Sequence, residues 1–390
     1  MRRAASDSAL TRVQPPRQLV PMKIERIDVT RHRLHLDPPF RASWDTRPRT
    51  VFEAAVVRVI TDDGLVGIGS GDLMLGFEQH EHLFLGHNPL DLDRHWRVLD
   101  NLAFHYSRYW PLDLALWDLA GKILGQPVWR LVGGRSDRTP LYASSGTLRE
   151  PSAMADAAYA FLDAGFPAMK IRFHRGDWRE DIAALEAVRD AVGDRLALMV
   201  DCNQGWRMPW DVEQPWTLKD AVAVGRELEE LDVFWMEEPL HRADYAGMAA
   251  LRDAVDVRIA GGEMNRETFE FRTLIERRCL DVLQPDAALT GGISGLKRVA
   301  EAAVDAGLVF TPHTWSNGLG FVANAHLAVG AGNPPYLEFP YDPPEWPPER
   351  RDFMLTEPIP APEGGELVLS DEPGFGVALD EDRLAATRIG

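Results

Sequence analysis

A chain of 390 residues with 45% apolar and 26% charged side chains is that of an ordinary globular protein, long enough for two or three domains and a large core. Sixty acidic residues against 42 basic ones leave a net charge of −18, which argues against nucleic acid or an anionic membrane as partner. Two cysteines, Cys202 and Cys279, cannot build a disulfide framework, and no apolar run approaches the roughly 18 residues that span a bilayer, so a cytoplasmic location is expected.

Residues 1–21 lack the apolar stretch of a signal peptide and read as a disordered leader, with Met22 opening the fold. MKIERIDVTRHRLHL (22–36) alternates as a strand does, and a Pro- and Arg-bearing loop follows at 37–50. EAAVVRVITDDGLVGIGSGD (53–72) reads as two strands joined at Asp62-Asp63-Gly64. Helical periodicity then takes over, clearest over 109–134, where Gly125 and Gly133-Gly134 mark stops. The span 22–138 is thus expected to be an α+β domain.

From Thr139 the texture changes to strict strand–helix alternation, through to residue 340. The strand candidates are 139–145, 167–173, 196–201, 233–240, 257–265, 280–289, 308–317 and 336–340. The helices between them fall at 152–164, 179–192, 217–231, 244–255, 266–279, 291–307 and 317–332. Alternation implies a parallel sheet, and seven or eight such units imply a closed (β/α) barrel with its active site at the strand C-termini. Residues 341–390 are rich in Pro and turns and are expected to return to the first domain.

The strand ends carry the chemistry. Lys170 precedes Asp201 by 31 residues, and the steps onward to Glu237, Glu263, Asp286, His313 and Glu338 are 36, 26, 23, 27 and 25, about one strand–helix unit each. Asp201, Glu237 and Glu263 end three consecutive strands. Carboxylates converging on one mouth repel unless a hard cation lies between them, and oxygen ligands suit Mg²⁺. Ion pairing with Lys or Arg, or capping of the next helix, is the alternative for each. Glu237 and Glu238 are adjacent, and spacing alone does not say which faces inward.

Asp286 and His313 end neighbouring strands, close enough for a hydrogen bond that would fix the imidazole tautomer and make a general base; a structural histidine is the plainer alternative. Lys170 and Arg172, two apart, share a face. Lys170 could serve as base or anchor, while Arg172 stays protonated and is a poor base. Glu338 would assist from the last strand or simply form an ion pair. Asn203 projects beside Asp201, and Trp206 and Trp315 follow site residues and would wall the pocket. His80-Glu81-His82 lies outside the repeat and reads as a surface turn. Gly291-Gly292-Ile293-Ser294-Gly295 could cradle a phosphate but fits a plain helix entry better. Cys202, between inward residues, should face the outer helices.

These stretches together resemble the enolase superfamily, in particular its mandelate racemase subgroup, from Met22 to the C-terminus. The resemblance rests on ALWDLAGKILGQPVWRLVGG, the Lys170-Ile171-Arg172 pair, VDCNQ, WMEEPL, GGE, QPDA, PHTW, LEFP and PGFGVALD. It implies a (β/α)7β barrel of modified TIM type, with a capping domain made from the N-terminal part and the C-terminal tail. It implies one Mg²⁺ per site on Asp201, Glu237 and Glu263, which chooses Glu237 over Glu238. Asp286 and His313 would be a His–Asp dyad, and Glu338 would hydrogen-bond the substrate carboxylate. Cap loops at 37–50 and around Leu73–Phe77 would choose the substrate, with Arg41, Trp44, Arg47 and Arg49 as candidates. A homo-oligomer, dimeric or octameric, is implied as well.

One position departs from the pattern: Arg172 stands where racemases of this subgroup have a second Lys. Racemisation needs a base on each face of the carbon, whereas dehydration needs one base at Cα and an acid for the departing hydroxyl. The expected function is therefore dehydration of a small anionic hydroxy-carboxylate, such as a sugar acid, to a 2-keto-3-deoxy acid. A racemase or epimerase of a 2-hydroxy or amino acid derivative is the alternative, and a catalytically silent acid-binding protein the second. A metal-assisted hydrolase on the same barrel would want His ligands on the first strand, and TPLYASS has none.

Overall fold

The computed structural model of the chain describes residues 22–389 apart from 209–210, 212–213 and 363, so the leader expected at 1–21 lies outside the described residues. Strands β1 (Ile24–Phe40), β2 (Arg49–Thr61) and β3 (Val66–Gly71) form an antiparallel meander in chain order. Strand β1 runs through the Pro-bearing stretch to Phe40, with a register break after His35, so the loop predicted at 37–50 shrinks to 41–48. Helices α1 (Leu92–His105), α2 (Trp110–Leu124) and α3 (Val128–Leu131) follow, and Gly125 ends α2 at φ 62°. Strand β3 lies directly on the α2 backbone. A Cβ on Gly67 would stand 2.2 Å from Ala115 O and one on Gly69 2.2 Å from Pro111 O, so this contact needs glycine at both positions.

The second part alternates without interruption: β4 (Arg138–Ser144), α4 (Pro151–Asp163), β5 (Ala168–Arg172), α5 (Trp178–Val192), β6 (Ala197–Asp201), α6 (Leu218–Glu230), β7 (Val233–Glu237), α7 (Tyr245–Ala254), β8 (Arg258–Gly261), α8 (Thr268–Glu276), β9 (Val282–Leu283), α9 (Gly292–Asp305), β10 (Val309–Phe310), α10 (Gly318–Ala331) and β11 (Leu337–Pro340). Strands β4 to β10 pair in chain order, all parallel, and β11 returns to pair with β4. The seam between β10 and β11 is bridged by Thr311 Oγ1, which donates to Tyr336 O at 2.8 Å. This is the (β/α)7β barrel.

Its helices are amphipathic and capped. Helix α5 buries Ile182, Leu185, Val188 and Val192 on one stripe. Asp177, Thr217, Asp244 and Asn317 each accept a backbone N–H at a helix start, worth about 1 kcal/mol apiece. The N-terminus of α9 is satisfied differently. Asp113, reaching across from α2, accepts Ser294 N at 3.0 Å and Ser294 Oγ at 2.6 Å. A Cβ on Gly292, at φ 61°, would stand 2.3 Å from the Asp113 carboxylate. The Gly-rich stretch is thus a helix entry already occupied by an internal anion, with no room for a phosphate.

Inside the barrel the strands' inward residues form two layers. Tyr142, Ala168, Met199, Trp235, Ala260 and Val282 make a dry plug, with the Tyr142 and Trp235 rings edge to face at 5.3 Å. Two residues further along their strands, Lys170, Asp201 and Glu237 make the polar layer above it, as strand periodicity requires. The mouth is thereby the C-terminal end.

The tail adds α11 (Pro348–Arg351), β12 (Glu366–Val368) and α12 (Glu381–Thr387). Phe353, Met354, Leu355 and Leu384 pack on Ala54, Val56 and Ile68 of the meander, and β12 pairs antiparallel with barrel strand β4. Within α10, buried His326 joins three parts of the chain. Its Nδ1 accepts Trp129 N at 3.0 Å, so Nε2 carries the proton and faces Phe375 O at 3.3 Å. Protonating Nδ1 would set two donors against each other, and burial holds this imidazole down at about 4. A depressed pKa contributes stability that is present above the unfolded value, near 6.5, and is lost as pH falls toward 4, about 3 kcal/mol in all. Urea midpoints should therefore fall more steeply from pH 6.5 to 4.5 in the parent than in His326→Gln; parallel curves would refute this.

Candidate active site

Pairing register brings the first candidates together. Arg172 lies opposite Asp201 across β5 and β6, and Asp201 opposite Glu237 across β6 and β7. Glu263 follows β8 by two residues, after Gly262 turns the chain at φ 118°. Asp201, Glu237 and Glu263 are all buried, and each offers an oxygen within 4.8 Å of the others. Glu238, by contrast, leaves the strand line at φ 46°, and its carboxylate lies against Gly205.

The charges around these three carboxylates are fixed. Lys170 Nζ is 2.8 Å from Glu237 Oε1, 2.8 Å from Glu338 Oε1 and 3.9 Å from Asp201 Oδ2. Burial alone would lower its pKa, but Glu237 and Glu338 hold it above the ordinary lysine value, so Lys170 is a fixed cation rather than a base. Arg172 is ion-paired to Asp201, donates Nε to Ser145 O at 3.0 Å and lies under the Trp44 ring at 4.7 Å. Burial together with Asp201 and Glu263 pushes the Glu237 carboxyl up to about 8, although Lys170 pulls the other way. Setting Glu238 and the His313–Asp286 pair aside, four carboxylates face two cations, so two negative charges are left over once all four are ionised. The donor set is oxygen only, and Glu263 Oε2 is buried with no hydrogen-bond partner. These residues fit a hard divalent cation.

Glu338 pairs with Lys170. Its carboxylate also accepts from Ser144 Oγ at 2.8 Å and Thr314 N at 2.7 Å, and despite burial Lys170, His313 and Arg172 hold it down at about 2.

His313 faces the carboxylates. Its Nδ1 is 2.9 Å from Asp286 Oδ2, and its Nε2 is 3.6 Å from Glu263 Oε2. Burial would lower its pKa, but Glu263, Glu338 and Asp286 together lift it to about 9, so the imidazole takes up a proton readily and is mostly protonated at neutral pH. The other Asp286 oxygen accepts Asn324 Nδ2 and Ala288 N, both at 2.8 Å, so the carboxylate cannot rotate away. Asn324 also accepts Ala287 N at 2.8 Å. Gln284 is another residue that spacing did not single out: its Nε2 donates to Glu237 Oε2 at 2.9 Å.

A cavity of about 230 Å³ opens above, lined by Arg172, Asn203, Glu263, His313 and a wall of aromatic rings. Trp44, Trp206 and Trp315 line it as predicted, and Asn203, at φ 52°, presents an Oδ1 without a partner. Arg41 does not line it. Phe40 is buried, so strand alternation turns Arg41 outward, and Arg49 lines the cavity instead. Arg47 is exposed, and the Leu73–Phe77 segment is absent from the lining, its place taken by Trp346 of the tail. The His80–His82 stretch enters a short helical turn in which His80, buried, meets the Tyr106 ring at 4.3 Å and Glu81 accepts Ile27 N. Cys202 faces the outer core, and burial raises its thiol far above the ordinary range. Among the described residues no helix is long and apolar enough to cross a membrane.

A family model described as enolase C-terminal domain-like matches residues 153–383, and the mandelate racemase / muconate lactonizing enzyme N-terminal domain matches residues 24–133. The chain is 32% identical to the L-rhamnonate dehydratase of Saccharopolyspora erythraea over 88% of each chain. It is 30% identical to the L-talarate/galactarate dehydratase of Salmonella typhimurium over 88% of this chain and 84% of that one. The crystal structure of L-talarate dehydratase from Polaromonas sp. JS666, complexed with Mg and L-glucarate, superposes with a TM-score of 0.81 at 26% identity, over 95% of this chain and 98% of that one.

Proposed function

The chain belongs to the mandelate racemase / muconate lactonizing enzyme family of the enolase superfamily, and on that premise we propose that it dehydrates a 2,3-dihydroxy carboxylate to a 2-keto-3-deoxy acid. One observation carries the reading: three buried carboxylates lie within 4.8 Å of one another, and Nε2 of a histidine whose Nδ1 is fixed by Asp286 stands 3.6 Å from one of them. Asp201, Glu237 and Glu263 would hold one Mg²⁺. When bound, the ion supplies positive charge where the substrate carboxylate gains electron density. The N-terminal part (22–138) and the tail (341–390) would act as the cap that encloses the substrate over the barrel (139–340).

His313 takes the proton from C2, and the negative charge spreads onto the carboxylate oxygens. Lys170, protonated between Glu237 and Glu338, keeps positive potential at that spot. The C3 hydroxyl leaves as water, carrying the proton that His313 returns, and the enol tautomerises to the 2-keto acid. Arg172, ion-paired and hydrogen-bonded on one face, holds its proton throughout. A site with one base acts on one configuration at C2.

A panel of aldonic and aldaric acids, assayed for 2-keto acid by semicarbazide with Mg²⁺ present, tests this. The expected result is product from one C2 epimer and none from the other. Clean interconversion of C2 epimers in D₂O, with no keto acid, would replace the dehydratase by an epimerase.

A further inference from the structure

We propose that the preferred substrate carries a single carboxylate and an uncharged, hydroxyl-poor far end, because beyond the polar groups of the site the cavity lining is largely aromatic. This rests on the dehydratase reading and names the substrate class for that same site. Four separate stretches supply the wall. Phe40 and Trp44 come from the end of β1 and the loop after it, Phe52 from β2, Trp315 from the β10–α10 loop and Trp346 from the tail. Phe40 stacks on Trp315 at 5.6 Å and meets Trp346 at 5.1 Å; Trp44 stands edge-on to Trp315 at 5.1 Å, and Phe52 edge-on to Trp346 at 5.3 Å.

Besides Arg49, the charged and amide groups of the lining are Arg172, Asn203, Glu263 and His313, with Arg172 packed under the Trp44 and Trp315 rings at 4.7 and 5.8 Å. Arg49 is the charged group left for the far end among the described lining residues, and it is already bound by Asp45 through Nε at 3.0 Å and Nη2 at 3.2 Å. A second carboxylate would meet an Arg49 whose charge Asp45 already balances, or lie against rings. The Trp315 indole N–H is committed to Ser144 Oγ at 2.9 Å. The Trp346 indole N–H is buried without a partner, which leaves a donor for one hydroxyl. Each further hydroxyl loses water and gains nothing, a penalty of about tenfold or more per group.

Binding and turnover separate this inference from the reading beneath it. His313→Asn protein loaded with Mg²⁺ is titrated by calorimetry and tryptophan fluorescence with three six-carbon acids matched in configuration: the 6-deoxyaldonate, the aldonate and the aldarate. The 6-deoxyaldonate should bind at least about tenfold tighter than the aldonate, and the aldarate about 100-fold weaker than the 6-deoxyaldonate. Leu289→Arg, which puts a free guanidinium in the lining, should close the gap for the aldarate at least tenfold. An aldarate that binds the His313→Asn protein as tightly as the 6-deoxyaldonate, or failure of all three to bind, overturns the inference. Turnover is then read on wild-type protein. Tight 6-deoxyaldonate binding with no keto acid from any of the three leaves the inference standing and removes the dehydratase. Keto acid from all three with the aldarate preferred does the reverse.

Discussion

His313→Asn protein is expected to lose turnover by about 10³–10⁴-fold while its affinity for Mg²⁺ changes by less than about threefold. The amide fills much of the imidazole's volume and can still receive a hydrogen bond, but it cannot carry a proton away from carbon. Its removal does not unmoor the site. Asp286 keeps its bonds to Asn324 Nδ2 and Ala288 N, and no proposed cation ligand is touched. Loss should therefore appear in kcat, with KM and the thermal midpoint near those of the parent. Calorimetric titration with Mg²⁺ and keto acid assays on the same preparation decide it. A variant that keeps a tenth of the parent rate would mean that some other group removes the proton, and with both nearby cations held protonated by their carboxylates the structure provides no substitute.

Glu263→Gln tests the other half of the site and gives the second large effect. Of the three carboxylates it is the one with a buried oxygen, Oε2, that no protein group satisfies, so the exchange breaks no internal hydrogen bond at that atom. Removing one charge from the cluster should weaken Mg²⁺ binding by more than the 10–100-fold typical of an outer partner, and activity should fall with it. The sign of the stability change separates a ligand from a structural residue. In EDTA the parent sets Asp201, Glu237 and Glu263 against one another, so the Gln variant should melt no lower than the parent, and higher if repulsion dominates. With Mg²⁺ the order should reverse, because the parent gains more from the ion. Equal Mg²⁺ affinities in the two proteins would remove Glu263 from the ligand set.

Much of this site could be read from the chain because its residues end strands. Two-residue periodicity sends Lys170 and Arg172 to one side, and the regular step from strand to strand brings Asp201, Glu237, Asp286 and His313 to one mouth. Periodicity is silent where the backbone leaves the strand. It could not choose between Glu237 and Glu238, because the choice is made by a positive φ at Glu238 that no spacing encodes. Arg41 was misplaced for a related reason: β1 continues through its prolines, so the parity of buried Phe40 turns its neighbour outward.

The aromatic wall was half legible. Trp315 follows a site residue closely, whereas Phe40, Phe52 and Trp346 look like core in sequence and become cavity lining only because the meander and the tail fold over the barrel. Asn324 was hidden for the same reason. A polar residue in a largely apolar helix reads as an accident until the fold sets it against Asp286. Glu338 was legible in position, whereas its partners Ser144 and Thr314 come from the end of β4 and the loop after β10, which spacing did not single out.

The central claim, that His313 strips hydrogen from carbon beside a cation held by Asp201, Glu237 and Glu263, is tested most directly with a substrate deuterated at C2. Mass spectrometry of product and solvent should find the label released to water, with a primary isotope effect on kcat/KM if proton removal limits that step. The release should stop in EDTA, return with Mg²⁺ and be absent from His313→Asn protein. Label that stays in the product, or leaves at the same rate without Mg²⁺ or without the imidazole, would contradict it.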